Sequence, residues 1–103
     1  MSVMLEFSVL PVGKGESLSE VIAGVLKIIM ESGVNYRTNP MGTVLEGSWD
    51  EVMAVVKKCH EEAMKDSGRV VTSIKIDDRK GVEPRMEKKI GSVEKKLGIK
   101  LRT

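Results

Sequence analysis

Residues 3–9 alternate in character, with Val3, Leu5, Phe7 and Val9 on one side and Met4, Glu6 and Ser8 on the other. A period of two is the signature of a strand with one buried face. The stretch PVGKGE breaks the pattern. In ESLSEV, Ser17 precedes Glu20 by three residues, the spacing of a capping box, and predicts a helix start. Leu18, Val21, Ile22, Val25, Leu26 and Ile29 then recur at helical spacing, and Gly33 is placed to stop the helix in the left-handed conformation. Val34 to Asn39 predicts a second strand, Pro40-Met41-Gly42 a turn, and Thr43 to Gly47 the return strand of a hairpin.

Ser48 stands three residues before Glu51, a second capping box, and the helix it opens carries Val52, Val55, Val56, Cys59 and Ala63 on one face and ends near Gly68. Val70 to Asp77 alternates again, Val70, Thr72, Ile74 and Ile76 against Val71, Ser73, Lys75 and Asp77, which predicts a fourth strand. Pro84 suits a first helical turn, and Met86, Ile90, Val93 and Leu97 form a narrow apolar stripe ending at Gly98, suited to docking on a surface such as that of another subunit. The order strand, helix, strand, strand, helix, strand, plus an extra helix, predicts an α+β ferredoxin-like βαββαβ antiparallel sheet with helices on one face.

The chain has 103 residues, the size of one ordinary domain, so residues 1–103 are expected to form a single one. Aromatic residues make up 3% and there are seven methionines, so the core must be built from Val, Ile, Leu and Met, and self-association is a natural supplement to it. The formal charge of +2 is unevenly placed. From Arg79 onward nine Lys and Arg stand against three Glu, while the remainder has eight basic against twelve acidic residues. Such a tail suits either an acidic partner or a solvated helix face. Cys59 is alone, which excludes an internal disulfide framework, and no apolar run approaches the roughly 18 residues that span a bilayer. The expectation is a cytoplasmic protein without a membrane partner.

Two helices cover only one face of four strands. If Leu5, Phe7, Leu45, Ile74 and Ile76 lie beneath them, the other face collects Met4, Glu6, Ser8, Val44, Glu46, Val71, Ser73 and Lys75. That set is too apolar for free solvent and too charged for a core, which suggests a second layer, a copy of the same chain, with the polar groups gathered at the seam. Two readings stand: Glu6, Glu46 and Lys75 form an ion-pair network in an interface, or they hold a ligand that completes their pairing.

Catalysis is not expected. Cys59 and His60 are neighbours on a helix and point about 100° apart, so they cannot form a facing nucleophile and base. No His or Cys cluster suggests a metal, and GKGE lacks the Ser or Thr of a P-loop. Nucleic acid is not expected as a partner, because the open face offers carboxylates where RNA-binding sheets offer aromatic rings.

PVGKGESLSEVI, SGVNYRTNPMGTVLEGSWDEVM, KKCHEE and RVVTSIKIDDR resemble, in order and spacing, the YkoF-like thiamine-binding protein family, over essentially the whole chain. The specific strings are Y-x-x-x-P-M-G-T-x-x-E-G and I-K-I-D-D-R; Thr38 departs from the apolar residue many relatives carry. The resemblance implies subunits whose sheets pair face to face into dimers, with dimers joining as tetramers. It also implies a ligand, thiamine or its hydroxymethylpyrimidine portion, with no established catalytic activity and no cofactor.

Thiamine requires a carboxylate near its ring nitrogens, hydrogen bonds for its amino group and a flat apolar wall. Glu6 or Glu46 suits the first. Ser8, Thr43 and the backbone at Pro40 to Gly42 suit the second, and Met41, Tyr36 or Trp49 the third, with Lys75 beside Glu6. The alternative is a regulatory or scaffolding oligomer in which the polar face is only an interface and the basic tail recruits an acidic partner.

Overall fold

The structure, a computed structural model, describes residues 2–13, 18–81, 86–98, 100 and 101. The elements are β1 (Val3–Pro11), α1 (Leu18–Glu31), β2 (Asn35–Asn39), β3 (Gly42–Gly47), α2 (Trp49–Met64), β4 (Val70–Asp77) and α3 (Met86–Leu97). The four strands form one antiparallel sheet in the order β2-β3-β1-β4, so each strand–helix–strand unit skips over a strand of the other. This is the ferredoxin-like α+β architecture.

Register follows from the alternation. On β1, Leu5 lies opposite Leu45 of β3 and Ile76 of β4, and Phe7 lies opposite Thr43 and Ile74. These residues share the helix side of the sheet, where Val3, Leu5, Phe7 and Leu45 are buried together with Ile29 of α1. The α2 stripe of Val52, Val55, Val56, Cys59 and Ala63 is buried throughout. β1 runs two residues past Val9, because Leu10 and Pro11 still pair with Val71 and Val70 of β4. Pro11 is tolerated there because it ends the strand.

The capping box at α2 is formed: the Ser48 hydroxyl accepts from the Glu51 N–H at 3.2 Å, and the Glu51 carboxylate accepts from the Ser48 N–H at 3.1 Å. Those two hydrogen bonds, the side-chain one first, hold the Glu51 carboxyl below its ordinary pKa. Gly33 follows α1 at φ +77° and Gly98 follows α3 at φ +73°, the left-handed values expected of helix stops. The proposed box at Ser17 and the Pro84 helix start lie outside the described residues.

One expectation is corrected. Ile74 and Ile76 are on the helix side but remain 41% and 36% exposed, because α2 packs principally on β1 and leaves the outer flank of β4, an edge strand, uncovered. Thr72 on that flank is held by His60, whose Nδ1 lies 2.6 Å from its hydroxyl. On the α3 stripe, Val93 and Leu97 are exposed in the single chain.

The β2–β3 hairpin closes over Pro40-Met41. Asn39, Pro40 and Gly42 occupy the first, second and fourth positions of a turn in which no non-glycine residue has positive φ, as a type I turn requires. The Asn39 side-chain oxygen accepts from the Met41 N–H at 2.8 Å and reinforces the corner. Gly42 is required by proximity: a Cβ there would sit 2.7 Å from the Phe7 carbonyl oxygen, a backbone atom with no freedom to retreat. Gly42→Ala is expected to force β3 off β1 and cost about 1–3 kcal/mol, the usual range for overpacking. Chemical denaturation of the variant checks this, and an unchanged midpoint would show that the strands are not so closely apposed.

Candidate functional site

The side of the sheet away from the helices is built by the same register. Glu6 lies directly opposite Lys75, and Ser8 directly opposite Ser73, on the β1–β4 pair. Because positions i and i+2 share a face, these four make a polar square. Directly opposed side chains have Cβ atoms about 5 Å apart, and successive ones along a strand are nearly 7 Å apart.

The square borders a depression of about 140 Å³ lined by Glu6, Phe7, Ser8, Met41, Ser73, Ile74 and Lys75. Phe7 and Ile74 point to the helix side, so they offer it backbone. Met41, 85% exposed at the tip of the hairpin, overhangs it as an apolar edge.

Among the described residues no ion pair closes between Glu6 and Lys75, and no hydrogen bond ties Lys75 to either serine. The square therefore offers a carboxylate, an ammonium and two hydroxyls to something else. The serine hydroxyls have no positioned base, and no group of three His, Cys, Asp or Glu suited to a metal ion occurs among the described residues.

Glu6, Ser8, Met41 and Lys75, all expected from the sequence, thus meet in one place. Glu46 shares the face but lies on β3, opposite Met4 and Asn35, and is only 6% exposed. The Asn35 side-chain amide donates to its carboxylate at 3.4 Å. Arg37, half-buried, is two residues along β2 on the same face. Glu46 therefore belongs to a buried polar group on the β2–β3 pair, adjacent to the depression's strands but not lining it.

Thr43 and Tyr36 are on the helix side, opposite Phe7 and Leu45 respectively. Thr43 and Glu46 cannot emerge on one face, because three residues of strand turn the side chain over. Thr43 is buried and shares a 2.7 Å hydrogen bond with Thr38, which accounts for the polar residue on that edge strand. Trp49 is the first residue of α2 and half exposed; Pro40 and Gly42 shape the hairpin that carries Met41. Ser73 and Asn35 were not among the expected site residues. The signal for each was the register: Pro40-Met41 as a two-residue turn sets Asn35 opposite Glu46, and the β1–β4 pairing sets Ser73 opposite Ser8.

Cys59 takes no part in the site. It is fully buried, and burial first, then the nearby Glu62 carboxylate, push its thiol pKa up to about 11. The raised value favours the protonated fold, so its contribution is whole below about pH 9 and is lost as pH rises through 11.

Comparisons with known proteins bear on the family and the fold. A family model described as thiamine-binding protein matches residues 5–94. A UPF0045 protein of Mycobacterium bovis is 41% identical over 98 residues, 94% of this chain and 96% of its own. The crystal structure of a hypothetical protein from Methanocaldococcus jannaschii superposes with a TM-score of 0.82 at 38% identity, covering 89% of this chain and 95% of that one. A Thermotoga maritima protein provisionally described as acting in thiamine biosynthesis or salvage superposes with a TM-score of 0.79 at 27% identity, covering 90% of this chain and 99% of that one.

The Cys59 thiol should react with a disulfide reagent only as fast as the protein unfolds. Stability should fall between about pH 9 and 11 more steeply in the native chain than in Cys59→Ala, by roughly 1–3 kcal/mol for a shift of this size. Denaturation midpoints across that range check it, and parallel curves would exclude a titrating buried thiol.

Proposed function

We propose, since the chain belongs to the thiamine-binding protein family, that it binds thiamine or the hydroxymethylpyrimidine portion of thiamine without transforming it. The observation that carries this reading is the polar square beside the Met41 edge. A ring nitrogen or cationic thiazolium is matched by the Glu6 carboxylate, amino and hydroxyl groups by Ser8 and Ser73, and a flat ring by the thioether of Met41.

The same face supports self-association. Leu10 and Val71 are 53% and 42% exposed, Met4 and Val44 are half-buried, and all four are on the side no helix of this chain covers. A second copy laid on it would remove this apolar surface from water and turn a shallow depression into an enclosed pocket, where charge-assisted hydrogen bonds gain strength. Dimers through the sheet faces, joined as tetramers by other surfaces such as the exposed α3 stripe, are the assembly that fits. No described helix is long and apolar enough to cross a membrane.

Calorimetry with thiamine and with hydroxymethylpyrimidine tests the ligand. The native chain should bind at least one of them, and Glu6→Gln should weaken the complex about tenfold, the effect of losing one charge-assisted hydrogen bond. Absence of heat and of any melting shift at millimolar ligand would overturn the reading.

Sedimentation tests the assembly. The native chain should run as a dimer or tetramer and Val71→Asp, which buries an unpaired charge in the seam, as a smaller species; a native monomer would remove the proposed second wall.

A further inference from the structure

The proposed ligand reading leaves one group of the depression unaccounted for. Thiamine carries a permanent cation and hydroxymethylpyrimidine is neutral at pH 7; neither brings a negative charge. Glu6 is sufficient for either, and Lys75, directly opposite it, would then face a cation or nothing at all. Closing the pocket would make this worse, because an ammonium without a counter-charge is costly to desolvate.

Lysine also reaches further than glutamate. Its four-carbon stem is long enough for the ammonium to reach the Ser8–Ser73 pair, one step along the sheet and nearly 7 Å from the Glu6–Lys75 pair. An ammonium beside two hydroxyls is a donor set for an oxyanion, and the separation keeps that oxyanion away from the carboxylate.

We propose that the site takes the phosphate monoester of this ligand class, with the heterocycle at the Glu6 end and the phosphate between Lys75, Ser8 and Ser73. A phosphate monoester carries about −1.5 to −2 at pH 7 and three strong acceptor oxygens, which matches one ammonium and two hydroxyls. The square is then paired at both ends, as the free alcohols cannot pair it. This rests on the depression being the ligand site. It adds a specificity that the fold and the carboxylate alone do not supply, with Lys75 and Ser73 as the residues that set it.

The test is calorimetry on the native chain, Lys75→Gln and Ser73→Ala. The ligands are thiamine, thiamine monophosphate, hydroxymethylpyrimidine, its phosphate monoester and inorganic phosphate. Lys75 and Ser73 are exposed on an edge strand, so the variants keep the fold. Each ester should bind at least about tenfold tighter than its parent alcohol, the effect of one charge-assisted pair, and the tighter of the two esters identifies the heterocycle.

In Lys75→Gln the gap should close from both sides, with the ester weakened and free thiamine unchanged or tightened by loss of the repelling cation. Ser73→Ala should weaken the esters by a larger factor than the alcohols. Equal binding of ester and alcohol by the native chain would overturn the inference while leaving thiamine binding intact. So would a Lys75→Gln loss common to both, or inorganic phosphate binding as tightly as the esters. Binding of none of the four pyrimidine ligands would overturn the proposed function and this inference together.

Discussion

A strand shows its side chains to two faces in strict alternation, and β1 sits between two antiparallel neighbours whose registers are both fixed by what lies beneath the helices. Once Leu5 and Phe7 are committed to the core with Leu45, there is no freedom left for Met4, Glu6 and Ser8, nor for the residues opposite them. The polar square is therefore a by-product of core packing in its placement, though not in its composition. Gly42, pressed against the Phe7 carbonyl, fixes how closely β3 approaches β1 and so where the hairpin tip with Met41 hangs.

From this constraint follows a division of labour between the two faces. The helix side carries the stability: the α2 stripe, Ile29 and the inward residues of β1 and β3 are buried together, and the polar groups buried on that side, the Thr43 hydroxyl and the Cys59 thiol, are hydrogen-bonded or held neutral. The other side carries groups a stable core would not choose. Glu46 is buried there with an amide donor from Asn35, while Glu6 and Lys75 face each other without closing an ion pair. Charged groups kept apart beside a depression, and apolar residues left uncovered around them, are the features on which the proposed ligand and second copy rest.

Most of the fold was legible in the sequence because period-two and period-3.6 patterns are long here and well punctuated. The five residues of the α2 stripe, the Ser48–Glu51 box, Gly33 as a helix stop and the bounds of β4 could all be read directly. What could not be read was coverage. Ile74 and Ile76 alternate as core residues do, yet where a helix lies across a sheet is set by packing, and α2 favours β1 over the edge strand. The placement of the candidate residues was legible in part for the same reason. Glu6, Ser8 and Lys75 follow from parity, whereas grouping Thr43 with Glu46 overlooked that an odd separation reverses the face. Tyr36 belongs with Thr43 on the helix side. Ser73, a residue with no distinctive chemistry of its own, becomes notable only when the register sets it opposite Ser8.

Native mass spectrometry of the protein purified without added ligand tests the central claim most directly, since it reports the assembly and anything held within it in one spectrum. An even-numbered assembly is expected, with a retained or readily reloaded small molecule held about tenfold more weakly in Glu6→Gln. A bare monomer that takes up no thiamine-related compound would contradict it.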